Sequence, residues 1–247
     1  MITDRLGLLN DVADAVTDAM RTVTDMGPSG RRAGQYALDL IADDAALAVL
    51  DRAGVGVLSE ESGFKPAATG EVVVIDPIDG STNASRGIPW YATSLCFVDG
   101  DGPAAAVVVN QASGVRYSAE RGGGAWCGDR PLRPSGCVEL SEAIVVVSAV
   151  PPPDVGWAQF RAFGACALDL CALADGAVDG YVDFGRDQHG VWDYLGGLLI
   201  CQEAVIDVVD AFGREMVNLD HAARRTPVAA SSPELAAALL AVPWRSA

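Results

Sequence analysis

The stretch EVVVIDPIDGSTN, residues 71–83, limits what this chain can fold into more than any other. Val72 to Ile75 form a run of β-branched residues, and such a run bounded by turn residues reads as a buried strand. It ends on Asp76. Pro77 then enforces a bend, Asp79 presents a second carboxylate, and Gly80 lets the backbone turn sharply before Ser81, Thr82 and Asn83. Acids, hydroxyls and exposed amides therefore collect where a buried strand runs out, a common place for a catalytic or metal site. Taken alone, DPIDG serves equally well as an acidic surface turn, so the decision falls to the rest of the chain.

With 247 residues, half of them hydrophobic, the chain can bury a substantial core as one large domain or two packed halves. Lys and Arg total 17 against 33 Asp and Glu, a formal charge of −16. No basic cluster offsets this repulsion, which argues against a nucleic-acid polymer as partner. An anionic phosphate substrate is compatible with it only if divalent cations reverse the local potential. The opening residues, MITDRLGLLNDVADAV, alternate polar positions and are not expected to act as a signal peptide. No apolar run approaches the roughly 20 residues that span a bilayer, so no membrane partner is expected and the cytoplasm is the expected compartment. Six cysteines without CxxC pairing are read as mainly reduced thiols, partly in the core.

Leu6, Leu9, Ala13, Val16, Met20 and Val23 recur at steps of three and four and predict an amphipathic helix. GPSGRRAG, residues 27–34, reads as a mobile connection to a second helix over 37–52. VGVLSEES, 55–62, is a strand running into an acidic loop. Strands are predicted at 91–98 and 104–109 around the turn DGDGP, followed by a glycine-rich hairpin over GVRYSAERGGGAWCG. After residues 131–136 the pattern changes: strand 144–148, loop 151–156, buried helix 163–176, strand 178–184, helix 192–204, strand 205–210, loop over most of 211–232, and a final helix at PELAAALLA. The reading is an α+β chain with an N-terminal half, 1–140, and a C-terminal α/β half, 141–247.

Phosphate esters hydrolyse slowly because their charge repels the nucleophile and the alkoxide leaves poorly; paired Mg²⁺ ions remedy both. Mg²⁺ requires hard oxygen ligands. Asp76 and Asp79 flank a proline bend and can face one volume, with the Ile78 carbonyl between them. Glu60 and Glu61 follow another short strand; adjacent side chains point apart, so one of the two is expected to face the metal. Ser81 is placed to orient a water from which Glu60 accepts a proton, and the amides after the turn suit phosphate. Asp193 opens the apolar helix WDYLGGLLICQEA as cap or first-turn residue, and capping alone accounts for an Asp there. Trp192 and Gly196-Gly197 point to tight packing around it. RGGGAWCG lacks the setting of a nucleotide loop, DGDG is a hairpin turn, and His189 stands alone as a surface or supporting residue.

These motifs resemble the inositol monophosphatase family, within the superfamily that includes fructose-1,6-bisphosphatases and nucleotide-3′-phosphate phosphatases. The resemblance lies in DPIDGST at 76–82, WDYLGGLLICQEAV at 192–205, SEES at 59–62 and AERGGGAWCGDRPL, and covers nearly the whole chain. It implies a layered αβαβα sandwich, usually dimeric, and Mg²⁺ as cofactor. Glu60, Asp76 and the Ile78 carbonyl would hold one ion, and Asp76, Asp79 and Asp193 a second. Gly80 and Ser81 amides, with Thr82 in the same turn, would cradle phosphate, and Glu60 and Ser81 would activate water. Arg161, Gly164, Ala165, Cys166 and Asp183 would contact the polyol. Two departures stand out: Ala37 replaces an expected hydroxyl, with Asp39 the nearest acid and Arg31 or Arg32 in place of a loop lysine, and Val205 replaces a glycine. The implied function is Mg²⁺-dependent hydrolysis of a small phosphomonoester, inositol monophosphate first. Fructose-1,6-bisphosphate, histidinol phosphate and nucleotide 3′-phosphates are alternative substrates, and a catalytically silent metal-binding regulatory dimer is the reading from another class.

Overall fold

The computed structural model describes residues 2–24, 26–32 and 35–242. Helix α1 (Arg5–Met20) starts where the Asp4 carboxylate accepts the Gly7 amide at 2.8 Å, satisfying a free first-turn donor. Its buried stripe is Leu9, Val12, Ala13 and Val16. The helix stops three residues before Val23, which still packs on the same core. Helix α2 (Ala37–Ala53) begins with the Tyr36 amide donating to Asp39 at 2.8 Å and ends at Gly54 in the left-handed conformation. The connection between them doubles back, Pro28 bridging Tyr36 and the Ser29 amide donating to the Gln35 carbonyl at 2.8 Å. Ala33 and Gly34, part of the expected mobile connection, lie outside the described residues.

The first sheet comprises β1 (Gly56–Ser59), β2 (Gly63–Lys65), β3 (Val72–Asp79), β4 (Ala92–Asp99), β5 (Gly102–Asn110), β6 (Arg116–Glu120), β7 (Gly124–Cys127) and β8 (Arg130–Pro131), with the short helix α3 (Ser81–Arg86) between β3 and β4. Spatial order is β2-β1-β3-β4-β5-β6-β7-β8. All neighbours are antiparallel except β1 and β3, which run parallel with Ser59 opposite Ile75. That register sets the site: the next residues, Glu60 and Asp76, stand side by side, Glu60 leaving the sheet while Asp76 still pairs with Ser94 of β4, and the Glu60 amide donates to the Ile75 carbonyl at 3.2 Å. β3 is buried on both faces, as its continuous apolar run predicts. Val73 and Ile75 pack with α1 and α2, Val72 and Val74 with the opposite core.

A second sheet is built from β9 (Ile144–Ser148), β10 (Gln159–Arg161), β11 (Gly180–Asp183), β12 (Val208–Asp210) and β13 (Pro227–Ala230), in the order β10-β9-β11-β13-β12. Helices α4 (Cys166–Ala174) and α5 (Val191–Glu203) fill the space between the sheets, and α6 (Pro233–Leu240) packs Leu235 and Leu239 on the outer face of the second. The layers are therefore α1/α2, sheet, α4/α5, sheet, α6, the expected αβαβα sandwich. Residues 211–232 are largely loop, as expected, with β13 inside them pairing with β11 and β12. Two local expectations are corrected. β10 is a strand the pattern did not reveal. The strand expected from 205 starts at 208, since Val205 adopts a left-handed φ of 65° that ends α5. All six cysteines are free thiols, as expected. Among the described residues no helix is long and apolar enough to cross a membrane.

Candidate active site

One carboxylate oxygen each from Glu60, Asp76 and Asp193 come together within 4.8 Å of one another. Glu60 and Asp76 arrive through the parallel β1–β3 pair, and Asp193 through the first turn of α5. There its carboxylate accepts the Gly190 amide at 2.8 Å and lies 3.3 Å from His189 Nδ1. So Asp193 does cap its helix, and the cap aims it at the other acids. Gly196 and Gly197 make the close approach of α5 possible: a Cβ there would stand 2.7 Å from Ser94 Oγ and from Leu170 Cβ respectively.

The DPIDGST turn is held from several sides. Thr93 Oγ1 donates to the Pro77 carbonyl at 2.8 Å, and the Ile78 amide donates to Asp76 Oδ1 at 3.0 Å. Asp79 Oδ2 accepts the Ala167 amide of α4 at 2.7 Å. Gly80 has φ 85°, and a Cβ on it would meet the Gly164 and Trp90 carbonyl oxygens at 3.0 and 3.1 Å, so glycine is required twice over. Asn83 Nδ2 donates to the Trp90 and Phe163 carbonyls, both at 2.7 Å. Ser81 opens α3, and Thr82 Oγ1 lies 3.3 Å from the Tyr36 hydroxyl.

The acids outnumber their counter-ions. Burial first, then the neighbouring Glu60, Asp79 and Asp193 charges, raises the Asp76 carboxyl well above its ordinary range. Burial and then Asp193 do the same to Asp79, against the helping Ala167 amide. Glu60 is pushed up to about 8, by burial and then by Asp193 and Glu61. The charges set against these acids are Arg32, 3.6 Å from Glu60 and 3.0 Å from Glu61, and His189, raised to about 9 by Asp193 and Asp183 despite its burial. Glu61 turns away from the cluster to Gln35 and Arg32, as expected for adjacent side chains. Clustered hard-oxygen donors, Asp76 buried and Glu60 and Asp193 half-buried, with such a shortage of positive charge fit a divalent cation. Asp39 is spent on the start of α2, and burial first raises it to about 7.

A cavity of about 180 Å³ adjoins the cluster, lined in part by Asp79, Asp193, Gly164, Ala165 and Cys166. These five were singled out in the sequence. Arg161 was too, yet it lies on the exposed edge strand β10, its guanidinium donating to the Phe160 carbonyl and to Gln159 at 2.9 and 2.7 Å, and it does not line this cavity. Asp183 is withdrawn from the wall: Oδ1 accepts the Gly185 amide at 2.7 Å and Oδ2 faces His189 Nε2 at 3.6 Å. His189, Tyr181, Asp169 and Ser148 join the wall without having been foreseen. The Tyr181 hydroxyl lies 3.0 Å from His189 Nε2, so His189 is a buried member of the site and not an isolated surface residue.

Acids gathered beside a small cavity, too many for the protein's own cations, define a candidate metal-dependent hydrolytic site in an αβαβα fold. The chain belongs to the inositol monophosphatase family, whose sequence profile matches residues 31–246. It is similar to a fructose-1,6-bisphosphatase/inositol-1-monophosphatase of Archaeoglobus fulgidus, at 33% identity over 87% of this chain and 88% of that protein. It is also similar to an inositol-1-monophosphatase of Mesorhizobium japonicum, at 32% identity over 81% and 84%. The crystal structure of extragenic suppressor protein suhB from Bartonella henselae superposes with a TM-score of 0.81 at 25% identity, covering 95% of this chain and 96% of that one. The chain is thus a phosphoric monoester hydrolase of a family that acts on small phosphorylated sugars and polyols.

Proposed function

We propose that the protein hydrolyses the monophosphate of a small polyol, inositol monophosphate before others, with Mg²⁺ as its metal. The observation that carries this reading is the wall of the 180 Å³ cavity: among the described residues it contains carboxylates, hydroxyls, a thiol and backbone, no lysine or arginine, and a single cationic group, His189, that already faces Asp193 and Asp183 at 3.3 and 3.6 Å. A bisphosphate needs a cationic partner for its second phosphate, whereas a neutral polyol needs acceptors and donors for hydroxyls. This favours inositol monophosphate over fructose-1,6-bisphosphate, although the Archaeoglobus relative is named for both activities.

Glu60, Asp76 and the Ile78 carbonyl would hold one cation, and Asp76, Asp79 and Asp193 a second. Mg²⁺ suits them because the cluster offers only hard oxygen donors. A bound divalent ion supplies the positive charge that phosphate oxygens and a departing alkoxide require. The residues of the chain do the rest. Gly80 and Ser81 amides at the start of α3 receive the phosphate, Ser81 Oγ orients the attacking water, and a Glu60 carboxylate oxygen takes its proton. Gly164, Ala165 and Cys166 enclose the leaving group and exclude solvent.

Phosphate release from inositol 1-phosphate, fructose-1,6-bisphosphate, histidinol phosphate and adenosine 3′-phosphate, measured across a Mg²⁺ titration, tests the proposal. The expected order puts inositol phosphate first by about tenfold or more in kcat/KM. A preference for the bisphosphate, or full turnover after exhaustive chelation, would overturn it.

A further inference from the structure

We infer that Asp169 determines specificity in this phosphatase, its carboxylate accepting a hydrogen bond from a hydroxyl of the leaving group. The inference rests on the polyol-phosphate reading above and deepens it.

Asp169 belongs to the first turn of α4, between Leu168 and Leu170, and its residue is 2% exposed. A carboxylate in such a place is costly unless its oxygens are used. Trp90 Nε1 donates to Oδ1 at 2.8 Å. A carboxylate offers about four acceptor positions. Capacity is therefore left over, and Asp169 stands on the wall of the cavity it shares with Asp79 and Asp193. If the Trp90 indole were the whole reason for an acceptor here, a neutral amide or hydroxyl would serve without the cost of burying a charge.

The cavity tells which donor the spare capacity suits. A phosphate group would be repelled by Asp169, and the wall holds no cation to reverse that except His189. Hydroxyls are the remaining donors that a phosphorylated polyol brings. The carboxylate is also aimed: Trp90 packs on Phe163 with ring centroids 4.8 Å apart, and Asn83, directly after the DPIDGST segment, grips the carbonyls of both residues. The turn that receives phosphate and the acid that reads the leaving group are thus fixed to each other. The resemblance placed the polyol-reading acid at Asp183, but that side chain does not line the cavity: Oδ1 accepts the Gly185 amide, and Oδ2, without a hydrogen bond, faces His189 at 3.6 Å. Asp169 occupies the wall instead.

The test compares inositol 1-phosphate with 4-nitrophenyl phosphate, which has the same phosphate and no hydroxyls, in the Mg²⁺-supplied wild type and in Asp169→Asn. The amide oxygen of Asn can keep the Trp90 bond, while its NH₂ replaces an acceptor by a donor. We expect kcat/KM on the inositol phosphate to fall about tenfold or more, mainly through KM, with the aryl phosphate changed less than about twofold. Equal losses on both substrates would make Asp169 structural, and no loss on either would remove it from recognition; both overturn the inference. Should Asp169→Asn fail to give a cooperative melt, Trp90→Phe takes its place. Freeing the carboxylate from the indole should lower the inositol-to-aryl ratio, and an unchanged ratio there overturns the inference as well. The two readings fail separately. A wild type that prefers the bisphosphate sinks the polyol reading and this inference with it, whereas a polyol-preferring wild type with an unchanged ratio in the variant sinks only the role of Asp169.

Discussion

Asp79 and Ala167 are 88 residues apart in the chain, yet Asp79 Oδ2 accepts the Ala167 amide hydrogen at 2.7 Å. An acid at the end of β3 thereby satisfies one of the free amides at the start of α4, and the first sheet is tied to that helix through it. Asp79→Ala should lose about 1–3 kcal/mol of stability together with activity, since a buried charge-assisted hydrogen bond disappears. Asp79→Asn retains an acceptor for the Ala167 amide and should keep most of the stability while still losing turnover. Urea denaturation of both variants beside a phosphate-release assay checks this. Equal destabilisation of the two would show that the Asp79 charge, and not its hydrogen bond, holds α4.

Asp76 leads to the opposite expectation. It is buried among like charges, so the metal-free protein carries repulsion that a bound cation relieves. Asp76→Asn should therefore raise the melting temperature of chelator-treated protein while cutting turnover about 100-fold or more. Relief of about 1–2 kcal/mol corresponds to roughly 2–8 °C in a chain of this size. Added Mg²⁺ should stabilise the wild type and leave the variant nearly unchanged. A lower melting temperature in metal-free Asp76→Asn would contradict the account.

Asp193 combines a cap and a place in the acid cluster, and Asp193→Asn separates them. Asn caps a helix about as well as Asp, so the Gly190 contact and the fold should survive. Mg²⁺ affinity and turnover should fall sharply, with excess Mg²⁺ restoring only part of the rate. A Mg²⁺ titration of activity with a parallel thermal melt reads both properties. Near-normal turnover at unchanged Mg²⁺ dependence would leave Asp193 as a cap alone.

Val205 bears the cost of its departure from the family glycine. It has φ 65°, is 93% exposed, and follows α5 where the Ile206 amide returns to the Cys201 carbonyl at 2.8 Å. A β-branched residue in the left-handed region is strained, and its side chain gains no packing in return. Val205→Gly should stabilise the protein by about 1 kcal/mol without altering kcat/KM. Denaturant midpoints decide it, and destabilisation would show that the turn tolerates valine without strain.

How much of this was legible in the sequence follows from how local each signal is. The end of β3 could be read because strand, proline bend, acids and glycine are consecutive, and Asp193 because a helix start has its own chemistry. The rule that neighbouring side chains diverge said that one of Glu60 and Glu61 would join Asp76, and the family resemblance said which. The wall of the cavity was not legible. Asp169 meets Trp90 across 79 residues, and His189 acquires meaning only when β11 carries Tyr181 and Asp183 beside it. The short strands β10 and β13 exist through their partners and have no periodicity long enough to announce them. Asp183 and Arg161 were placed by resemblance to a family, which gives a neighbourhood but not the direction in which a side chain turns.

Gly80 leaves no room between the DPIDGST turn and residues 164–165, and Asn83 fastens the same loop from the other side. Loops around an active site are usually where a fold acquires new substrates, by insertion, deletion or drift. That route is closed here, because any movement of this loop is transmitted to the acids. A change of diet must come by exchanging side chains on an unmoving frame. Libraries aimed at other phosphate esters should therefore vary Ser148, Cys166, Asp169 and Tyr181 and leave the backbone from 163 to 165 at its present length.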